Sequence, residues 1–150
     1  MKKPTPNFTP HSWRDYEVKL HSELLMPILG TPRPYLGSEK SLQRACAKVL
    51  NYLKFHWIHP PNEGARTTQA GVSLKAQGMK KGAVDIIILE PTEKWGYVAI
   101  ELKTKTNTVS DEQAQFLINT RHKGGGAFVC YNYEAFEAVL RYCYPHKFKN

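Results

Sequence analysis

The chain has 150 residues, one domain's worth, with 41% hydrophobic and 23% charged residues, which excludes a disordered or collagen-like polymer. No stretch approaches the roughly 18 uncharged apolar residues of a membrane helix, and the longest apolar run, Ala83 to Leu89, is interrupted by Asp85. Lys and Arg number 21 against 13 Asp and Glu, a net charge of +8 that favours polyanions: nucleic acid first, anionic membrane second. No strongly basic amphipathic helix supports the membrane alternative. A merely solvated basic surface is the other alternative.

Met1-Lys2-Lys3-Pro4 is basic, but no apolar segment follows it, so no cleaved secretory signal is expected. Cys46, Cys130 and Cys143 are odd in number and widely spaced, which points to a reducing, intracellular (cytoplasmic) setting. His56 and His59 have no matching Cys or His pair at zinc-site spacing, so a structural zinc is not expected.

Residues 1–37 read as an N-terminal extension holding six of the ten prolines. Within it, Trp13, Tyr16, Leu20 and Leu24 recur at helical steps, predicting one amphipathic helix over Ser12 to Met26, followed by a linker over Gly30 to Pro34. The main domain, 38–150, opens with Ser38 as the cap of a helix over Glu39 to Lys54, whose inner face is Leu42, Cys46, Val49, Leu50 and Leu53. Phe55 to Ile58 predicts a strand that stops at Pro60-Pro61. A polar loop over Asn62 to Thr68 and a short helix over Gln69 to Gln77, ended by Gly78, come next.

Val84 to Leu89 predicts a central strand, apolar on both faces, and Tyr97 to Lys103 its neighbour after a turn at Pro91 to Lys94. Ser110 caps a helix over Asp111 to His122, and Gly124 to Gly126 break it. Ala127 to Tyr131 is the last strand and Tyr133 to Tyr142 the last helix. The fold class is α/β, a sheet sandwiched by helices.

Two acids stand where acids are costly: Asp85 in Val84-Asp85-Ile86 and Glu101 in Ile100-Glu101-Leu102. A hairpin turning near residue 93 sets Asp85 opposite Glu101, with Cβ atoms roughly 4.5–5.5 Å apart. Lys103, two residues beyond Glu101, shares its face. Two close carboxylates repel unless a cation lies between them, and oxygen ligands suit Mg²⁺ or Mn²⁺. Such an ion activates water and stabilises charge on phosphate, which a basic surface would supply as a phosphodiester. The alternative is an ion pair within a sheet. A one-residue slip in register would send the two acids to opposite faces.

Gly82-Ala83-Val84-Asp85, Glu101-Leu102-Lys103 and Gln113 resemble the PD-(D/E)XK nuclease superfamily, and more closely its VRR-NUC branch. Asn62-Glu63-Gly64 with Arg66, Leu74-Lys75-x-x-Gly78-x-x-x-Gly82, Ser110-Asp111-Glu112-Gln113 and Glu39 at the head of the first helix carry the closer match. Val84 replaces the proline of the motif, a scaffolding position and not a ligand.

The resemblance, over about residues 38–142, implies a restriction-endonuclease-like mixed sheet flanked by helices. It implies metal ligation by Asp85, Glu101, the Leu102 carbonyl and Glu39, a catalytic Lys103, and Gln113 behind the site orienting water or the lysine. Arg66, Lys75, Lys80, Lys81 and Lys105 flank the site strands as candidate DNA phosphate contacts. The family further implies a stand-alone, often phage-encoded homodimer that cuts branched DNA such as four-way (Holliday) junctions or flaps. A non-catalytic nucleic-acid-binding module retaining the fold is the rival, and a restriction-type nuclease a second one. No His-Asn-His set, no GxxxxGK[ST] loop and no thiol with an adjacent base supports another enzyme class.

Overall fold

A computed structural model of the chain describes residues 35, 37–60, 76–78, 84–104 and 109–149. The expected N-terminal helix, the 62–68 loop and most of the 69–77 helix lie outside these residues. So do Arg66, Lys75, Lys80, Lys81 and Lys105. At the end of that last segment Gly78 has φ +103°, the left-handed conformation expected of a helix stop.

The first helix, α1, spans Glu39–Tyr52, and Ser38 caps it by accepting from the Ser41 N–H at 3.1 Å. Its N-terminus is fastened to the sheet through Tyr35, whose backbone N–H donates to the Tyr131 carbonyl and whose hydroxyl meets Ser41 Oγ. The helix ends two residues before the expected Lys54, which adopts φ +57° instead. The Lys54 and Phe55 N–H groups then return to the Asn51 and Leu50 carbonyls, closing a Schellman-type stop.

That stop also shortens the expected strand at 55–58. The Phe55 N–H is used by the helix and its ring enters the core, leaving β1 only Trp57–Ile58. Strand β2 spans Ile86–Ile88 and β3 Val98–Leu102. Helix α2, Asp111–His122, crosses over to β4, Gly126–Cys130, and α3 follows over Tyr133–Cys143 with Asn132 as cap. A short 3₁₀ turn over Pro145–Phe148 ends the described chain.

The sheet order is β1-β2-β3-β4. The first two pairings are antiparallel and β3–β4 is parallel. Two apolar layers cover it. Leu42, Cys46 and Leu50 of α1 and Phe136, Val139 and Leu140 of α3 pack with Ile86, Ile88, Ile100 and Leu102 on one face. Ala114, Leu117 and Ile118 of α2 pack on Ala99, Ala127 and Val129 on the other. Strands buried on both faces explain why β2 and β3 read as continuous apolar runs.

Glycines 124 to 126 do more than end α2. Gly124, at φ +91°, is the stop, whereas Gly126 already belongs to β4 and donates to the Tyr97 carbonyl at 2.8 Å. Between them, a Cβ on Gly125 would lie 2.6 Å from Tyr97 Cζ and 2.7 Å from Thr120 Cγ2. Gly125→Ala therefore overpacks the α2–β4 corner, and a loss of about 1–3 kcal/mol is expected in urea denaturation.

Candidate active site

The β2–β3 register is Ile86 opposite Ile100, Ile87 opposite Ala99 and Ile88 opposite Val98. Continued by one residue it sets Asp85 opposite Glu101, the pairing expected from the sequence. The strand ends just before that point. Val84 joins the α2-side layer, as does Ile87, so strict alternation breaks at the bend on Asp85. The bend turns the Asp85 carboxylate to the end of the hairpin, where its Oδ2 accepts from the Leu102 N–H at 2.8 Å. His59, beyond β1, holds the same bend through its Nδ1, which donates to the Asp85 carbonyl.

The Leu102 peptide completes this corner. Lys103 N–H donates to the Cys130 carbonyl on β4 at 2.9 Å, and the peptide joining it to Leu102 is trans. The Leu102 carbonyl therefore points away from β4, to the side on which Asp85 lies. Glu39 arrives from the opposite layer, on the first turn of α1. One carboxylate oxygen from each of Glu39, Asp85 and Glu101 lies within 4.8 Å of the others. Three acids from three elements thus converge at the end of the central hairpin.

Glu101 is 1% exposed. Its Oε1 faces two donors: Lys103 Nζ at 3.3 Å and Gln113 Nε2 at 2.9 Å. Gln113 cannot freely turn its amide over. Its Oε1 accepts from the Ser110 N–H at 3.0 Å while its own N–H donates to Ser110 Oγ, a reciprocal capping box. The cap thereby aims the amide's donor side at Glu101 rather than at Lys103. Glu101 Oε2 is buried with no hydrogen-bond partner.

Burial, then the nearby Asp85 charge, pushes the Glu101 carboxyl up to about 9, with Lys103 opposing. The partnerless buried oxygen and the raised carboxyl fit a cation-binding corner, since an ion would satisfy one and reverse the other. An all-oxygen donor set fits a hard divalent ion such as Mg²⁺ or Mn²⁺. Among the described residues, no His or Cys joins the cluster. Cys46, on the inner face of α1, is buried close to Asp85, and burial with that charge pushes its thiol up to about 12.

The structure brings together Glu39, Asp85, Glu101, Leu102, Lys103 and Gln113. The candidate phosphate contacts lie outside the described residues. Sequence reasoning weighed His59 only as a zinc ligand with His56 and missed its hold on Asp85, and it missed the basic stripe Lys40, Arg44 and Lys48. These three recur at four-residue steps on α1, all exposed, with no acidic partner among the described residues.

A mixed sheet flanked by helices, with an acid and an ExK facing each other across its central hairpin and a further acid from the first helix, defines a PD-(D/E)XK nuclease-type core. A family model for the VRR-NUC domain matches residues 37–133. The chain belongs to the VRR-NUC family. A solved structure described as a VRR_NUC domain protein has the same fold, with a TM-score of 0.61 at 17% identity, covering 74% of this chain and 91% of that one. No curated protein matches the chain.

The raised Glu101 carboxyl has a stability consequence. Its folded value, about 9, lies above the ordinary 4.5. Unfolding then releases a proton between these values, so metal-free stability falls as pH rises from 4.5 to about 9. Urea midpoints across that window should show this slope in the wild type and lose it in Glu101→Gln. Added Mn²⁺ should flatten it in the wild type.

Proposed function

We propose that the chain is a divalent-metal-dependent endodeoxyribonuclease that hydrolyses phosphodiester bonds of branched DNA, four-way junctions or flaps. The observation that carries this reading is the three-carboxylate cluster with Lys103 beside it, in a chain of a nuclease-type family. Glu39, Asp85, Glu101 and the Leu102 carbonyl would hold Mg²⁺ or Mn²⁺. When bound, that ion supplies activated water near neutral pH and charge stabilisation on phosphate.

The chain's own groups do the rest. The Leu102 N–H fixes the Asp85 carboxylate, and Gln113 fixes Glu101. Lys103, held in a buried position by Glu101, offers an ammonium to the charge that grows on a phosphate oxygen. Gln113 is thus a positioning residue in this scheme. Arg66, Lys75, Lys80, Lys81 and Lys105 grip the DNA backbone, a role supported by the net charge of +8. Residues 38–150 form the nuclease unit and 1–37 an extension. A homodimer, acting inside the cell and encoded by a phage, suits the two-fold symmetry of a junction. Among the described residues, no helix is long and apolar enough to cross a membrane.

A labelled panel of duplex, flap, single-stranded and four-way junction DNA tests the reading with Mg²⁺ and Mn²⁺. The branched forms should be cut. Asp85→Ala should abolish cleavage while retaining DNA binding, and Lys103→Ala should slow turnover by about 10²–10³-fold. A wild type that binds DNA but leaves the whole panel intact would establish the rival, a binding module on a nuclease fold.

Gln113→Ala separates positioning from chemistry. It should raise the Mn²⁺ concentration for half-maximal cleavage by about 10–100-fold, with a far smaller effect on cleavage at saturating Mn²⁺.

A further inference from the structure

Two side-chain oxygens among the described residues are buried without a hydrogen-bond partner: Glu101 Oε2 and Gln43 Oε1. The first belongs to the acid cluster. The second has no role in the site as built so far. An unsatisfied buried amide oxygen is a net cost to folding, whereas an apolar side chain of similar length is not. Its presence calls for a donor or cation that comes from outside the described residues.

Its place on α1 says where that partner lies. Gln43 follows Glu39 by four residues and precedes Cys46 by three, so all three line one stripe of the helix. The Glu39 carboxylate reaches Asp85 and Glu101, and the buried Cys46 thiol is close enough to Asp85 to feel its charge. Gln43 thus sits on the helix stripe between Glu39, which reaches Asp85, and the buried Cys46. Its oxygen is hard, neutral and without a hydrogen, a donor type that divalent cations and their waters accept. A neutral donor also adds no repulsion to three crowded carboxylates, which a fourth acid would do.

We propose that Gln43 is a further oxygen donor of the cation site, serving the hydrated divalent ion beside Glu39, Asp85 and Glu101. This rests on reading that cluster as a metal site. It also makes Gln43 a residue whose amide costs stability in the metal-free protein and strengthens binding of the ion.

Calorimetric Mn²⁺ titration and metal-free thermal denaturation of the full-length protein test this with Gln43→Leu and Gln43→Glu. Gln43→Leu should weaken Mn²⁺ binding about 10-fold or more, yet melt no lower than wild type without metal. Gln43→Glu should melt lower than wild type without metal and bind Mn²⁺ more tightly than Gln43→Leu. Should Gln43→Leu not fold, the Gln43→Glu comparison is made with wild type, where tighter Mn²⁺ binding and lower metal-free melting are expected. Unchanged Mn²⁺ affinity in Gln43→Leu, or in Gln43→Glu if it alone folds, overturns the proposal while leaving the three-acid site intact. A metal-free Gln43→Leu protein that melts well below wild type also overturns it, because the amide then had a partner within the fold. A wild type that binds no Mn²⁺ overturns the metal site itself.

Discussion

The hydrogen bond from the Leu102 N–H to the Asp85 carboxylate, at 2.8 Å, joins the fold to the site. It forms where the β2–β3 pairing runs out, and it takes the place of the next ladder bond. An acid thereby ends the strand and is aimed at once. The charge-assisted bond is worth about 1.5–3 kcal/mol, enough to hold a carboxylate against its neighbour Glu101. Without it, the Asp85 carboxylate would lose the backbone donor that fixes it beside Glu101. The hairpin is central, so helices reach this corner from both faces. Glu39 comes from α1 on one side and Gln113 from α2 on the other, and the acid cluster bridges the two apolar layers.

The cluster is built at a cost to the fold. Lys103 and Gln113 both meet the same oxygen of Glu101. The other oxygen is left dry and unpaired. A core that sought stability alone would have filled this corner with leucine. Retaining the acids leaves close carboxylates that an arriving cation would relieve. The same tension, between a fold that would prefer apolar side chains and a site that requires oxygen, runs through Gln43 on α1.

Much of this was legible before the structure. Ser38 and Ser110 announce their helices, because a hydroxyl ahead of an apolar periodicity has few other local uses. The turn near residue 93 sets the hairpin register, and that register alone set Asp85 opposite Glu101. The Ser-x-x-Gln spacing marks both a capping box and a residue of the site, and the structure shows why: the box orients the amide. Element ends were less legible. Phe55 reads as strand by composition but gives its N–H to the α1 stop, and Gly126 reads as a breaker but pairs in β4. A helix-stop bond to Leu50 in the first case, and a bond to the distant Tyr97 in the second, outranked composition.

Local pattern was enough for the helices, the order of the strands along the chain and the identity of the acids, because caps, turns and periodicities act over only a few residues. Only folding in three dimensions decided which oxygens come within reach of one another. The parallel β3–β4 pairing, the side of the corner faced by the Leu102 carbonyl, the grip of His59 on Asp85 and the solitary oxygens of Gln43 and Glu101 all join residues that are remote in sequence or belong to different layers. Such contacts depend on how whole elements pack, and no short stretch of residues contains that information.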